Sequence, residues 1–219
     1  NAKIIYIGTP KFRIMKKFDG IVSTKKDLSD VFKVIPTVLP PTKFAPYSDS
    51  QISSANSLVL IGGDGSGYDY GEKDWYRLAY EFNSIETTFI NSRRTPKYAW
   101  ENLKDNKGNK HQFLDLEKTT FEALQDAIDS HGNIFVTADS TSMIVEIITR
   151  GYFVNVIELR GPIKREHHHE IIESFEKKGL LKTLKLSELN LAESKINDQV
   201  RNFVLEERAS LKRQILELI

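Results

Sequence analysis

The chain has 219 residues, 40% of them apolar and 28% charged, with 31 Lys and Arg against 30 Asp and Glu for a net charge of +1. This is an ordinary globular composition, long enough for one large domain, and it supplies no basic field to hold nucleic acid. The absence of cysteine excludes disulfides, thiolate chemistry and Cys-based zinc sites, and no apolar run approaches the roughly 18 residues of a membrane span.

The chain opens Asn1-Ala2 and drops at once into the apolar run Ile4–Ile7. Asn-Ala is what a cleaved expression tag often leaves, so residues 1–2 read as a tag remnant and the chain is expected to begin in mid-protein. Further strand-like runs follow at 20–23 and 32–36. They are joined by short basic loops, KFRIMKKF at 11–18 and TKKD at 24–27, with no convincing helix between them. Proline and serine then crowd the stretch from Pro36 to Ser54, the best linker candidate in the chain. The division this gives is an N-terminal fragment or arm of a first domain at 3–45, a linker at 46–55, a main domain at 56–195 and a long C-terminal helix at 196–219.

From residue 58 onward short apolar runs alternate with helical periodicity. The strands fall at 58–62, 87–91, 111–114, 134–137 and 153–158, and the helices at 71–83, 96–104, 119–130, 140–150, 166–178 and 197–218. Strands alternating with helices of this length predict βαβ units, and hence an α/β fold with a doubly wound parallel sheet, Rossmann-like. The last helix carries Val200, Phe203, Val204, Leu211, Ile215 and Leu218 near one face. That face suits packing on its own domain, on a neighbouring one or on a second copy of the chain.

Three loops carry chemistry. In LVLIGGDGSGYD (58–69) a buried strand runs into Gly62, Gly63, Asp64 and Ser66. Glycines at such a strand end let a phosphate approach backbone N–H groups. Neither the Walker pattern nor G-x-G-x-x-G fits, because Tyr68-Asp69 follow Gly67. Asp64 would repel a phosphate, so its expected task is a helix cap or a loop brace. The second loop, Asn91-Ser92-Arg93-Arg94-Thr95-Pro96, places two arginines at the next strand end, where they could clamp a diphosphate; Thr95 would cap the following helix. In the third, VTADSTSMIVEIITRG (136–151), Asp139 or Ser140 would cap an otherwise apolar helix. Asp139, Ser142 and Glu146 share a stripe at i, i+3 and i+7. A carboxylate there needs partners, and ribose hydroxyls would suit Glu146. The run Arg165-Glu166-His167-His168-His169-Glu170 does not read as a metal site, since neighbouring helix positions diverge by about 100°. One of these histidines could instead reach a bound phosphate.

IGGDGSGYDYGEKD, INSRRTP and VTADSTSMIVEIITRG, in this order and followed by FEKKGLLKTL, resemble the family of the plant elongated-mitochondria fission protein and its bacterial relatives. The resemblance covers roughly 57–185, and FDGIVSTKKD resembles the end of that family's first domain. It implies a GT-B glycosyltransferase fold, of which this chain would hold the C-terminal half and a short remnant of the first. The strand–ADS.SM..E–helix arrangement is similar to the donor half of the peptidoglycan N-acetylglucosaminyl transferases. By that resemblance Gly62, Gly63, Ser66, Arg94, Ser140, Ser142 and Glu146 line a nucleotide-sugar pocket, supported by Asp139 and Arg93. It implies a nucleotide-sugar-dependent transferase acting on an acceptor glycan or lipid of the cell envelope. No metal or tightly bound cofactor is expected, the nucleoside diphosphate sugar being a substrate. The catalytic base belongs to the first domain, so this chain alone is not expected to catalyse. The expected location is the cytoplasm, with peripheral contact at the inner membrane face and pairing through the last helix as further expectations. The alternatives are a nucleotide binder like the NAD and diacylglycerol kinases, whose GGDGT loop GGDGS resembles and which would use Asp64 directly, and a non-catalytic scaffold on the same fold.

Overall fold

A computed structural model of the chain describes residues 3–24, 33–47, 56–105, 111–161 and 167–218. The described residues form two parallel sheets. The smaller joins β1 (Ile5–Ile7), β2 (Gly20–Ser23) and β3 (Val34–Pro36) in that order, with Ile21 opposite both Tyr6 and Val34. Residues Phe12–Lys17 form a 3-10 helix between β1 and β2, where the sequence suggested only a basic loop. Such a helix is too short to leave a periodic pattern. Residues 1–2 and 25–32, most of the expected linker (48–55), and residues 162–166, which include the start of the histidine run, lie outside the described residues.

The larger sheet is the doubly wound one that the alternation predicts. Its elements in chain order are β4 (Ser57–Leu60), α1 (Glu72–Glu81), β5 (Thr87–Ile90), α2 (Lys97–Asp105), β6 (Gln112–Leu114), α3 (Phe121–Ser130), β7 (Asn133–Thr137), α4 (Thr141–Arg150), β8 (Val154–Glu158), α5 (His167–Lys177), β9 (Leu181–Lys185) and α6 (Asp198–Leu216). The strands stand in the order β6-β5-β4-β7-β8-β9, all parallel. The chain builds outward from β4 to β6, then returns to lay β7 beside β4. That reversal is the switch point at which such sheets open a crevice. Strand β9 sits inside FEKKGLLKTL and was not anticipated; its mixed burial, with Lys182 and Thr183 half-buried, hides it from a search for apolar runs.

Both faces of the sheet are covered, so β4 and β5 are buried at every position. Helix α1 meets the sheet through Trp75, Leu78 and Ala79, with Phe82 just beyond its end, while Tyr76 and Tyr80 face outward. Phe82 sets its ring edge-on to Phe89 and Phe135, at 5.9 and 5.1 Å. At the amino edge of the sheet Arg150 grips both carboxylate oxygens of Asp129, at 3.1 and 2.5 Å, and Tyr152 donates to the same group at 2.9 Å. Lys195 is buried there, donating to the carbonyls of Ile128 and Asp129.

Helix α6 crosses from one sheet to the other. Its first half buries Val200 and Val204 against the larger unit. Further along, the Glu207 carboxylate accepts from Thr37 Oγ1 at 3.0 Å and from Val38 N at 2.6 Å, and Arg208 donates to the Phe44 carbonyl. The Leu218 side chain lies against Gly20, where an added Cβ would stand 2.6 Å from its Cδ1.

Candidate functional site

The three motif loops meet at the carboxyl edge of the larger sheet, on the switch point between β4 and β7. They meet by bonding to one another. Gly62 N donates to Thr137 Oγ1 at 2.8 Å, and Gly63 N to Asp139 Oδ2 at 2.8 Å. The Gly62 carbonyl accepts from Ser92 Oγ at 3.1 Å and Thr95 Oγ1 at 2.6 Å. Arg94 Nη2 reaches Asp139 Oδ2 at 2.9 Å and the Asp139 carbonyl at 3.3 Å, while Nη1 reaches the Asp64 carbonyl at 3.4 Å. The amides of Gly62 and Gly63, expected to cradle a phosphate, are thus engaged by side chains of the β7 strand and loop. These glycines serve close approach. A Cβ on Gly62 would fall 2.0 Å from Asp139 Oδ2, and one on Gly63 would fall 2.0 Å from the Arg94 carbonyl oxygen.

Beyond the knot the loop does not enter a helix directly. Gly65 and Tyr68 pair across a tight turn, with both N–H···O bonds made, and Ser66 and Gly67 take φ of 54° and 82°. Two successive positive φ values are the signature of a type I′ turn. Asp64 braces this hairpin by accepting from Tyr70 N at 3.0 Å, the loop-bracing task the sequence allowed it. Helix α1 begins only at Glu72, and Asp74 within it accepts from Gly71 N at 2.8 Å and pairs with Arg160 at 2.9 Å. The hairpin's Tyr68 is buried, its ring 5.1 and 5.7 Å from those of His169 and His168. The histidines therefore pack against the glycine loop. Among the described residues no group of His, Asp and Glu is arranged to hold a metal ion.

Asp139 has no side-chain exposure. Burial pushes its carboxyl up from the usual range, while hydrogen bonds from Thr137 and Gly63 and the Arg94 charge pull the other way. It does not cap α4. Ser140 stands at the N-cap and its side chain makes no capping bond either. Thr95 likewise turns away from α2, its hydroxyl directed to the carbonyls of Ile61 and Gly62. The first turn of α4 thus lacks both a side-chain cap and an acidic residue, and its leading N–H groups face outward with the positive end of the helix dipole. The Thr141 hydroxyl there is buried without a partner among the described residues.

The other half of the predicted site lies along α4. Ser142 and Glu146 line a cavity of about 230 Å³, walled by Ile171 and Phe175 of α5 and closed by Thr24, just past β2, and Val38 and Pro40, just past β3. Glu146 is half-buried, and burial raises its carboxyl above the ordinary value. It makes no hydrogen bond or ion pair among the described residues. The stripe read from sequence therefore divides: Ser142 and Glu146 share a cavity, and Asp139 belongs to the knot. Ser66 is half-buried at the hairpin tip, and Arg93 is exposed. Sequence reasoning missed Thr137, Thr141 and the facing residues from the smaller sheet; none of these carries a local signal.

A doubly wound sheet with polar groups converging at its switch point, beside a cavity shared with a second parallel sheet, defines an α/β protein built around a ligand-type cleft. Residues 1–217 match the family described as Mitochondrial fission ELM1, and the chain belongs to that family. No curated protein matches it. Among solved structures it is similar to an O-GlcNAc transferase mutant of Thermobaculum terrenum (10% identity, TM-score 0.44, covering 93% of this chain and 42% of that one). It is also similar to Acinetobacter baumannii MurG (15%, 0.44, 97% and 59%), and to a UGT transferase of Siraitia grosvenorii in complex with UDP (12%, 0.45, 92% and 55%). The chain spans about half the length of the structures it matches. Among the described residues no helix is long and apolar enough to cross a membrane.

Proposed function

We propose that this chain carries the donor-binding half of a nucleotide-sugar-dependent glycosyltransferase. The observation that carries the reading is Glu146: a half-buried carboxylate with no partner among the described residues, facing a cavity below an uncapped helix start. A pentose offers such a group two adjacent hydroxyls, and the helix start offers N–H groups to the phosphates attached to that pentose. Arg94 stands beside the helix start through its bond to the Asp139 carbonyl, and its side chain is 42% exposed. In transfer, the bond from the sugar's anomeric carbon to the diphosphate oxygen breaks as a bond to the acceptor oxygen forms. Negative charge then grows on the departing diphosphate, where the dipole of α4 and the guanidinium would lower its energy. The acceptor's proton goes to a base that none of these residues supplies. Gly62, Gly63, Asp64 and Asp139 hold the geometry, and the acceptor is proposed to be an envelope glycan or lipid reached from the cytoplasmic side.

Thermal shift against UDP, GDP, CDP, ADP and ATP tests this. Nucleoside diphosphates are expected to raise the melting temperature without added metal, and Glu146→Ala to weaken binding by about 2 kcal/mol, on the order of 30-fold. A wild-type protein indifferent to all five would overturn the reading, as would a diphosphate response that Glu146→Ala leaves intact.

A further inference from the structure

A second, mostly apolar hollow adjoins this cleft, with Pro40 and Thr42 on the lining of both. It measures about 340 Å³ and runs between α6 and the segment Leu39–Thr42, with Leu211, Ile215 and Leu216 along one wall and Leu39, Pro40 and Pro41 along the other. This is the size range of small-ligand sites. Two cations, Arg208 and Lys212, stand on the same lining, and among the described residues no carboxylate does. Its floor holds Thr149, a residue 2% exposed whose hydroxyl has no hydrogen-bond partner among the described residues. A helical threonine ordinarily returns its hydroxyl to a carbonyl one turn back, so an orphaned one at the base of a hollow is a donor in search of an acceptor. The neighbouring Glu207, which could have neutralised the cations, is committed to Thr37 and Val38.

The walls restrict the occupant further. Pro40 and Pro41 have no N–H, and the α6 backbone before its last turn is paired within its own ladder. A peptide laid in the hollow would leave its backbone groups unsatisfied, whereas an alkyl chain has none to satisfy. From Arg208 to Leu216 the helix advances about 12 Å, which sets the reach of such a chain. We propose that the groove between α6 and Leu39–Thr42 binds a single-chain anionic amphiphile, its headgroup held by Arg208, Lys212 and the Thr149 hydroxyl and its alkyl chain lying along Leu211, Ile215 and Leu216. Desolvation of Arg208, which lowers its pKa, agrees with a guanidinium that gains from an anion at close range. The inference does not rest on the nucleotide reading, for its cations and one apolar wall belong to α6, although Thr149 lies on the same stripe of α4 as Ser142 and Glu146, further from the helix start.

Titration calorimetry with dodecyl phosphate, dodecanoate, dodecyltrimethylammonium and inorganic phosphate, each amphiphile below its micelle concentration, tests it. One equivalent of an anionic amphiphile is expected to bind, with the phosphate and carboxylate arms telling which headgroup is preferred. Inorganic phosphate is expected to give no heat. Lys212→Glu, at an exposed position and checked by circular dichroism, is expected to weaken binding at least tenfold. Ile215→Trp, checked by circular dichroism, is expected to abolish it. Binding of the cationic amphiphile as tightly as the anionic ones, stoichiometry above one, indifference to Lys212→Glu, or no binding at all would overturn the proposal.

Discussion

The knot of loops at the strand ends and the open side of α4 lie next to one another, and they differ in how far their polar groups are paired, although Asp139 Oδ1 in the knot has no hydrogen-bond partner among the described residues. In the knot Gly62, Gly63, Arg94 and Asp139 bond among themselves. A few residues on, the first turn of α4 has no cap, the Thr141 hydroxyl has no partner among the described residues, and Glu146 faces a cavity. Buried polar groups that lack partners are costly, so a fold keeps them chiefly where something else completes them. The conspicuous glycine motif is therefore the brace, and the proposed nucleotide site rests on the unremarkable carboxylate within an apolar helix.

The sharpest way to break this comparison is to add one carbon to the knot. In Gly63→Ala the new Cβ would meet the Arg94 carbonyl oxygen at 2.0 Å, a backbone atom that cannot swing aside. The expected cost is about 3 kcal/mol of stability, read as a lower urea midpoint. Were Gly63 instead there to admit a phosphate, the variant would keep its stability and lose only ligand.

How far sequence reaches follows the same division. The helices and most strands of the larger sheet were legible because burial imposes a period on the residues that carry it: α4 shows five large apolar residues and is buried at nearly every side. The meeting of the three loops was legible from topology, since parallel strands open their loops on one edge. The use of the glycine amides was not. Their partners, Thr137 and Asp139, lie 75 and 76 residues further on, and no local pattern distinguishes an amide aimed at a phosphate from one aimed at a side chain. Glu146 could be picked out as the polar interruption of an apolar helix. The residues facing it, Thr24, Val38 and Pro40, could not, because the approach of the smaller sheet depends on the crossing of α6.

A second measurement asks what burial does to a charge that does have partners. Lys195 is 1% exposed and held by two carbonyls, and burial still lowers its pKa from 10.5 to about 8, with the Arg150 charge adding to the fall and Asp129 opposing it. Between those values the unfolded chain binds the proton that the folded one has released, so stability must rise with pH across the window. Between pH 8 and pH 10, below the titration of unfolded tyrosine, the expected gain is about 1 kcal/mol per pH unit at most. Lys195→Met should flatten that slope. A wild-type urea midpoint that is level from pH 8 to pH 10 would remove Lys195 from the class of strained buried charges to which Asp139 and Glu146 belong.

Glu146→Gln gives the smallest effect on stability and the finest discrimination. Burial raises the Glu146 carboxyl, so its contribution is fully present below its usual value of 4.5 and is lost as pH climbs through the raised folded value. At neutral pH the ionised group opposes folding. Replacing it with the neutral isostere should leave the protein as stable or better, by on the order of 0.5 kcal/mol given its partial exposure, and should remove the decline in stability above pH 4.5. The same variant should bind nucleoside diphosphate several-fold more weakly, because an amide accepts less strongly from hydroxyls than a carboxylate does. The two changes have opposite sign. A carboxylate kept for structure would lose stability and ligand together, whereas one kept for a ligand loses the ligand alone and relieves the fold, so measuring both on one variant separates the two roles.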